Sequence, residues 1–529
     1  MIQHNLLSDR FISVLETGGS RTNLKLPQIY ERLMADRVSS FPGLRPHQGH
    51  PWHAFLVQLG ALALHRAGSE APLTDPGAWD AARWATGLRA LTPDAADDAP
   101  WCLVVAEPDE PAFLQPPVPE GRLDVLAKTC ATPDALDILV TAKDHDVKKA
   151  RMAENRPEDW LFALLTLQTS AGYDGKSLNG VSRMNSGYGN RPGVGIAPPG
   201  GPGARVRRDI ARLLARRGEM LPIYPAEGGL ALLWLVPWDG VDQLSLGELD
   251  PWYIEICRRV RLIERDGGIV ARRTGTKNAR IHMGKDQNGI TGDPWTPIDA
   301  TAKDGDRKAL TVDQRGFHYT RLGDILFKRG FEPAPLQGIA DDDASEGLAM
   351  VCVALVRGQG KTEGLHRRRV PISKRGIGLF KRHATDVLAR TAEARIDNAG
   401  NLRRRVLRYA LMVLFQNGPQ GSDFAPMHPA SSARASLFLH RFDDFVDQGF
   451  FDALWREVEV HDDADAARAE RARWIETLRD AALAILGDAA RETPLSALRA
   501  YRARVRAEGA FRGAFRKHFS TLMEEHRAA

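Results

Sequence analysis

Hydrophobic and polar positions follow two different patterns along the chain, and the change falls near Ser373. Before this point, short apolar runs are separated by proline- and glycine-rich segments, which predicts a mixture of strands and helices. After it, apolar residues recur at helical spacing over long stretches. The sequence therefore predicts an α+β protein, with a large mixed α/β N-terminal domain at 1–370 and a C-terminal helical bundle of the four-helix type at 371–529.

The first domain is predicted to contain strands and helices in irregular order. The predicted elements are a strand or hairpin arm at 5–14, helices at 26–34, 52–68 and within 75–100, a strand at 101–107, an apolar helix at 160–169, a basic helix after the PPGGPG joint at 198–203, strands at 230–238 and 252–265, a hairpin around Gly275, a strand and a helix within 309–327, and a strand at 347–356.

The second domain is predicted to consist of helices joined by short connections. Helical patterns cover 377–397, 402–415, 432–459, 464–486 and 494–526, with breaks at 398–400, 417–421 and near Gly487. Arginine is frequent on the outer faces, as in the run at 403–405. Such faces are usually solvated and internally ion-paired, but runs without acids also suit contact with phosphate.

Composition adds little to this picture, because a net charge of +5 over 529 residues is only mildly basic. The four cysteines lie far apart without a C-x-x-C pair, which argues against a structural zinc site and a disulfide framework and fits a reducing cytoplasm. The N-terminus does not resemble a signal peptide, and the longest apolar runs are too short to span a bilayer. We therefore expect a cytoplasmic protein without a membrane partner.

The stretch at 138–191 joins a basic loop, an apolar helix and a loop rich in glycine, asparagine and serine. The basic and aromatic residues of its two loops are Lys143, His145, Lys148, Lys149, Arg151, Tyr173, Lys176, Arg183, Tyr188 and Arg191. Glycine lets backbone approach a ligand closely, cations suit a polyanion, and aromatic faces stack on bases. This combination favours a nucleic-acid contact surface, although a glycine-rich loop is also often a simple connection.

A second basic segment lies at 269–285, where no acid interrupts the cations. These are Arg272, Arg273, Lys277, Arg280 and Lys285. A cation-guarded edge strand and a basic finger that contacts a phosphate backbone are both consistent with this pattern.

No constellation typical of a catalytic centre is found, which favours a binding protein without enzymatic activity, cofactor or metal. His47, His50 and His53 are spaced by three residues, but no acidic ligand is adjacent. The GQGKT segment at 358–362 follows a strand and imitates a phosphate-binding loop. It lacks the first glycine of that motif, since Leu355 stands there, and a strand–turn–strand hairpin is the favoured interpretation.

Several motifs in the same order resemble the CasA family, the large subunits of type I-E CRISPR Cascade complexes. They are NLLSDRFISV at 5–14, FLQ at 113–115, LVTAKDHDVKKA at 139–150, LQTSAGYDGKSLNGVSRMNSGYGNRP at 167–192, GDPWTP at 292–297 and RGQGKTEG at 357–364. Together with the terminal helical bundle, these motifs cover nearly the full length of the chain.

The resemblance implies a subunit that recognises the protospacer-adjacent motif (PAM) on double-stranded DNA, starts R-loop formation and recruits a helicase–nuclease. The implied partners are the other Cascade subunits, the crRNA and target DNA, and the implied role is antiviral defence. Position by position, the resemblance implies an early loop at 141–149 with Lys143, His145, Lys148 and Lys149; a glycine loop with Gly172, Tyr173, Asp174, Gly175 and Lys176; a lysine finger at Lys285, or else at Lys277; and a wedge at Gln359 supported by Gly360 and Lys361.

Two positions depart from the family pattern. Asp144 stands where relatives commonly have an amide, and Asp174 replaces a small residue of the glycine loop. Both add negative charge near the implied DNA contacts, so the preferred PAM is expected to differ.

Two alternatives to PAM recognition remain at this point. One is a stand-alone nucleotide-binding enzyme that acts on nucleic acid through the GQGKT turn. The other is a scaffold that only bridges other subunits.

Overall fold

The computed structural model describes residues 3–139, 155–184, 189–284, 287–301, 306–327, 330–358, 361–416, 429–493 and 496–527. They form two compact units, of which the first comprises Met1–Phe317 and Gly330–Pro371 and the second His318–Arg329 and Ile372–Ala529. The first unit mixes strands and helices and the second is helical, so the predicted fold class is confirmed.

The helices of the first unit are separated by long irregular segments. They are α1 (Leu26–Met34), α2 (Gly49–Ala67), α3 (Ala71–Thr74), α4 (Ala81–Arg89), α5 (Pro157–Ser170) and α6 (Pro202–Ala215). Local sequence explains several ends: the Asp80 carboxylate accepts a hydrogen bond from the Arg83 backbone N–H at the start of α4, and Gly68 ends α2 in the left-handed conformation at φ 58°.

The strands of the first unit are short and form several small sheets. They are β1 (Ile12–Glu16), β2 (Arg21–Leu24), β3 (Val38–Ser40), β4 (Lys128–Cys130), β5 (Gly193–Ala197), β6 (Leu230–Leu232), β7 (Leu249–Ile254), β8 (Arg259–Arg265), β9 (Gly268–Thr274), β10 (Ile298–Asp299), β11 (Lys308–Ala309), β12 (Phe331–Glu332), β13 (Ala349–Gly358) and β14 (Lys361–Pro371). The strand orders are β2-β1-β3, β4-β9-β8, β11-β10-β12 and β14-β13-β5, and β6 pairs with β7.

The core of the first unit is built around α2 and α5, which are apolar on nearly all sides. Large aromatic side chains fill it, and the fully buried tryptophans are Trp52, Trp84, Trp101, Trp160, Trp234, Trp238, Trp252 and Trp295. The rings of Tyr30 and Trp84 stack with centroids 4.5 Å apart, and the Tyr30 hydroxyl donates to the Leu56 carbonyl over 2.8 Å. One continuous core therefore includes residues of the β2-β1-β3 and β4-β9-β8 sheets, of the β6–β7 pair and of the β13–β14 hairpin.

Four predicted elements of this unit are wrong in detail, and the first is the predicted strand at 230–238, of which only Leu230–Leu232 is a strand. No strand covers 101–107, where only a bridge between Asn5 and Cys102 forms. The predicted strand at 252–265 is two strands, β7 and β8. The predicted hairpin around Gly275 is instead formed by β8 and β9, which turn at Asp266 and Gly267, both with positive φ.

The second unit is a bundle of long helices. They are α7 (Tyr319–Leu326), α8 (Lys374–Lys381), α9 (Thr385–Asn401), a π-helical segment (Leu402–Leu407), α10 (Arg408–Phe415), α11 (Pro429–Glu459), α12 (Ala464–Arg491) and α13 (Ala497–Arg527). Phe442, Phe450, Leu454 and Leu478 are fully buried, and the guanidinium of Arg395 pairs with Glu457 over 2.8 Å in this interior.

The predicted break at 398–400 is wrong, because the helix continues from α9 through the π-helical segment into α10. Ala399 and Leu402 are buried, and their packing outweighs the weak helix propensity of Asn398 and Gly400. The break lies earlier, where His383 has a φ of 56°.

None of the helices within the described ranges is long and apolar enough to cross a membrane.

Candidate nucleic-acid interface

The glycine loop, defined here as residues 172–180, begins directly after α5 and is positioned by it. Gln168 near the end of this helix bonds four backbone groups: its amide nitrogen donates to the carbonyls of Leu114 and Arg258, and its oxygen accepts from the N–H groups of Cys257 and Arg258. Two of these backbone groups belong to Arg258 and one to Cys257, in the segment that separates β7 from β8, so the bonds fix the helix end against that segment. The Arg258 guanidinium then donates to the Gly172 carbonyl over 2.9 Å.

The glycine loop folds back on itself as a compact turn. The Asp174 N–H donates to the Leu178 carbonyl, and the Leu178 N–H donates to the Gly175 carbonyl, both over 3.0 Å. Gly175 has a φ of 104°, which favours glycine. A Cβ on Gly180 would lie 2.5 Å from the Gly172 carbonyl carbon, so the two ends of the loop can meet only without a side chain at residue 180.

The glycine loop is tied to the hairpin formed by β13 and β14. Asp174 forms an ion pair with Arg357 of β13 at 2.6 Å. A second connection runs through Asn190, whose oxygen accepts from the Gly172 N–H over 3.1 Å and whose amide donates to the Leu355 carbonyl over 3.0 Å. Asp174 therefore anchors the glycine loop to the hairpin.

The hairpin has its tip at the GQGKT segment. β13 and β14 are antiparallel, and Gly358 pairs with Lys361, which leaves Gln359 and Gly360 as the two connecting residues. Both lie outside the described residues, as does the side chain of Lys361. Because Lys361 begins a strand rather than a helix, the alternative of a phosphate-binding loop is wrong, and the favoured hairpin is confirmed.

The early loop falls outside the described residues, and so do its candidates Lys143, His145, Lys148 and Lys149. The chain just before it is well defined: the Leu139 carbonyl accepts a hydrogen bond from the Thr362 hydroxyl over 2.9 Å. Asp137 accepts from the Leu139 N–H and contacts His47 Nε2 at 2.6 Å. The described chain just before the early loop therefore lies beside Thr362 of the hairpin.

Lys176 and Lys277 lie on one pocket of about 640 Å³, which we call the basic pocket. Lys128 of β4 and Arg273 of β9 complete its cationic lining. The Thr276 N–H donates to the Ser177 carbonyl over 2.9 Å, and this bond joins the glycine loop to the segment after β9. Lys128, Lys176 and Lys277 are exposed, and within the described residues none of the four cations forms an ion pair with a carboxylate.

A second pocket of about 690 Å³ also touches the glycine loop, and we call it the loop pocket. Its lining includes Tyr173, Asn179 and Gly180 of that loop together with Met283 and Gly284. Lys285 is the next residue along the chain and lies outside the described residues. The segment just before the candidate lysine finger and the glycine loop therefore line one pocket.

Four other arginines of the basic stretches are structural. Arg191 binds Asp293 through two bonds of 2.5 and 3.0 Å, and Arg183 lies over the Tyr253 ring with its guanidinium carbon 3.9 Å from the centroid; both are buried. Arg280 is buried against Trp238, and Arg272 donates to the Leu126 carbonyl. The interpretation of Arg183 and Arg191 as cations free to meet a polyanion is therefore wrong.

Glu255 lies in this buried network beneath the glycine loop. It accepts hydrogen bonds from the backbone N–H and the hydroxyl of Ser182 over 2.7 and 2.9 Å. Burial raises the pKa of Glu255 to about 7, although Arg183 and the Ser182 bonds act in the opposite direction. Burial opposes ionisation of Asp293 as well, but Arg191 and Arg183 outweigh it and lower the pKa of Asp293.

Sequence reasoning missed Lys128, Arg273 as a pocket residue, and the anchors Gln168, Asn190 and Arg357. Lys128 reaches the pocket because it pairs with Arg273 across β4 and β9, a register that joins segments more than a hundred residues apart. The repeated glutamine in FLQ and LQTSAG was a usable signal, since Gln115 and Gln168 are both fully buried and bonded to backbone.

Among the residues that the structure describes, no group of three or more His, Cys, Asp and Glu side chains is placed to hold a metal ion. Two of the three closely spaced histidines have acidic partners: His47 contacts Asp137, and His53 contacts Asp209 at 2.8 Å.

Comparison with known proteins supports the family resemblance. The family model for CRISPR-associated protein Cse1 matches residues 247–485. Among solved structures, CasA (Cse1) from Thermus thermophilus is 17% identical with a TM-score of 0.65, and the alignment covers 99% of this chain and 100% of that chain. Cse1 from Thermobifida fusca is 16% identical with a TM-score of 0.63, covering 97% of this chain and 98% of that one.

A chain of a structure described as a CRISPR RNA-guided surveillance complex is 13% identical with a TM-score of 0.59, covering 97% of this chain and all of that one. Comparison with curated protein sequences gives no significant match. The resemblance to CasA is therefore confirmed: residues 247–485 match the Cse1 family, and the whole chain has the fold of the CasA (Cse1) structures.

Proposed function

We propose that this chain is the large subunit of a CRISPR RNA-guided surveillance complex and that it recognises a PAM on double-stranded DNA. In this role it starts strand separation so that the crRNA can pair with the target, and it recruits a helicase–nuclease. Its partners are the other subunits, the crRNA, target DNA and that effector. The proposal assigns the chain recognition rather than a reaction of its own.

The observation that carries the proposal is a set of contacts among described residues that flank or belong to the candidate segments. Asp174 of the glycine loop binds Arg357 of the hairpin, Thr362 of the hairpin binds Leu139 just before the early loop, and Tyr173 and Met283 line the same pocket. The candidate segments are those to which family resemblance assigns DNA contacts.

The chemistry of the glycine loop suits the minor groove. In that groove a protein can tell A·T from G·C pairs but little more, so close approach of its backbone matters more than a large set of side chains. Gly175 offers such an approach, because it has positive φ and a Cβ there would meet no atom within 4 Å. The basic pocket beside it supplies cations for the flanking phosphates, which raise affinity without reading sequence.

The hairpin suits the role of a wedge. Its two antiparallel strands pair from Ala349 to Gly358, with one register shift between Val356 and Arg357, and so support the two-residue tip. Gln359 at this tip would insert beside the first base pair after the PAM and take the place of its stacking partner. Guide RNA would then read the target sequence by base pairing.

The decisive experiment measures R-loop formation on a PAM-bearing duplex by the assembled complex carrying Gln359→Ala or Lys285→Ala. Both variants should form R-loops at least about tenfold more slowly while the complex still assembles, since each change removes one contact worth about 1.4 kcal/mol or more. Gln3→Ala, at an exposed position outside the site, is the matched control and should behave as wild type.

Unchanged R-loop formation in both variants would remove the proposed sites. Binding of duplex that ignores the PAM in the wild-type complex would instead favour the scaffold that only bridges other subunits.

A further inference from the structure

A second cationic pocket lies between α2, α6, β5 and the β13–β14 hairpin, and the site described above does not include it. It has a volume of about 460 Å³. We call it the arginine pocket and define it by His50, Arg205, Arg367 and Arg369. All four residues belong to the first unit of the fold.

Strand geometry places two of these arginines side by side on one face of β14. Arg367 pairs with Val353 and Arg369 with Val351, and alternate residues of a strand face the same side. Both arginines are exposed. Arg368 between them faces the other way, where its guanidinium donates to the Phe317 carbonyl over 3.3 Å. Arg367 and Arg369 are therefore spaced by about 6.6 Å along the strand.

The positive charge of this pocket is poorly compensated. Asp209 is the acid closest to Arg205, at 3.8 Å, but it also contacts His53 at 2.8 Å and Arg208 at 3.2 Å. Among the described residues, Arg367 and Arg369 form no ion pair with a carboxylate. Burial lowers the pKa of Arg205, and repulsion from Arg208 and Arg369 lowers it further, although Asp209 acts in the opposite direction.

Two buried polar atoms of the pocket residues also lack a partner. Arg205 Nε and His50 Nε2 form no hydrogen bond with any described residue. Buried polar atoms are nearly always hydrogen-bonded in folded proteins, so the unpartnered Arg205 Nε, which can only donate, indicates a missing acceptor beside these uncompensated guanidinium groups. An oxyanion would supply both the acceptor atoms and the negative charge.

We propose that the arginine pocket binds a phosphate group of a nucleic-acid backbone, in contact with the guanidinium groups of Arg205, Arg367 and Arg369. The need for an oxyanion follows from the pocket itself, whereas the choice of a nucleic acid rests on the proposed function. The pocket lies on the same hairpin whose tip is the candidate wedge, so a strand held there would continue along the hairpin away from the PAM.

The test uses labelled oligothymidylate and the purified full-length chain, because this probe carries no PAM duplex and its binding is independent of PAM reading. Arg367→Gln/Arg369→Gln should bind it roughly tenfold more weakly at low salt. Each phosphate contact with a single strand contributes about 0.7 to the slope of log affinity against log salt, so the loss of two should reduce that slope by about 1.4.

Two variants control for charge and folding. Arg10→Gln/Arg37→Gln removes the same charge from exposed positions outside the pocket and should change the affinity less than about twofold. Arg367→Lys/Arg369→Lys keeps the charge and should retain most of the binding, which would separate loss of contact from loss of fold.

If Arg367→Gln/Arg369→Gln and Arg10→Gln/Arg37→Gln lowered the affinity for oligothymidylate equally, the proposal would be overturned, because the loss would be a general effect of charge. A second arm measures thermal stabilisation by inorganic phosphate. Stabilisation that depends on Arg367 and Arg369, together with oligothymidylate binding that does not, would assign the pocket to free phosphate and overturn the nucleic-acid assignment.

Discussion

At the scale of single residues, the ion pair between Asp174 and Arg357 links the two elements with the clearest proposed roles. Arg357 is only 5% exposed and Asp174 is 33% exposed, so this pair lies at the edge of the core. Loss of the carboxylate would leave a nearly buried guanidinium without its partner. The pair therefore contributes both to stability and to the placement of the glycine loop.

Asp174→Asn should lower the free energy of unfolding of the first unit by about 2 kcal/mol and slow strand separation. Chemical denaturation followed by tryptophan fluorescence measures the first effect. Asp124→Asn is a matched control, because Asp124 pairs with Arg122 on the exposed surface and its loss should leave the stability unchanged. If Asp174→Asn had the same free energy of unfolding as the wild type, the glycine loop would be held in place without this ion pair, and the prediction would be wrong.

Glu255 gives the first unit a pH-dependent component of stability. Its pKa is about 7 in the folded chain, against an ordinary value of 4.5. Between these two pH values the native state therefore holds a proton that the unfolded state has lost. This contribution is fully present below about 4.5 and is lost as the pH rises through about 7.

Glu255→Gln should therefore flatten the fall in unfolding free energy between these two pH values. Urea denaturation across this range provides the measurement, and Glu227→Gln at an exposed position should keep the wild-type slope. An unchanged slope in Glu255→Gln would show that another group is responsible.

Single residues also mark the limit of sequence reasoning. Lys176 was identified from its glycine neighbours and is exposed on a pocket, whereas Arg183 and Arg191 share the same stretch and are buried. Nothing in the local sequence distinguishes them, because the partner Asp293 is about a hundred residues away in the chain. Burial of an arginine depends on tertiary contacts that periodicity alone does not reveal.

At the scale of elements, α5 determines where the glycine loop begins. Gln168 holds its end by four hydrogen bonds to backbone groups, all of them buried. The helix itself was predicted from its apolar run. The division of the predicted strand at 252–265 into two strands was not predicted. It depends on the distant Gln168 side chain, whose oxygen accepts hydrogen bonds from the N–H groups of Cys257 and Arg258 in place of a neighbouring strand.

Gln168→Leu should lower the free energy of unfolding by about 3 kcal/mol, because it leaves several buried backbone groups without partners. The same denaturation assay measures it. Gln243→Leu removes a single bond from an exposed glutamine and should cost less than about 0.5 kcal/mol. Similar losses in the two variants would contradict the role of Gln168 as the anchor of α5.

At the scale of the whole molecule, the pattern of hydrophobic and polar residues was sufficient to predict the fold class and most helices of the second unit. It was insufficient for the small sheets of the first unit, whose registers join distant segments such as 128–130 and 271–273. The convergence of the candidate segments also follows from such long-range contacts. Family resemblance selected the segments, and the ion pair, the hydrogen bonds and the pockets show that their described parts lie together.

The most direct test of this account is permanganate reactivity of the thymines next to the PAM in a duplex bound by the assembled complex. Wild-type complex should make these thymines reactive on a PAM-bearing duplex and leave a scrambled-PAM duplex protected, and Gln359→Ala should abolish the difference. Equal reactivity on the two duplexes, or full reactivity with Gln359→Ala, would contradict the claim that the glycine loop and the hairpin open DNA together.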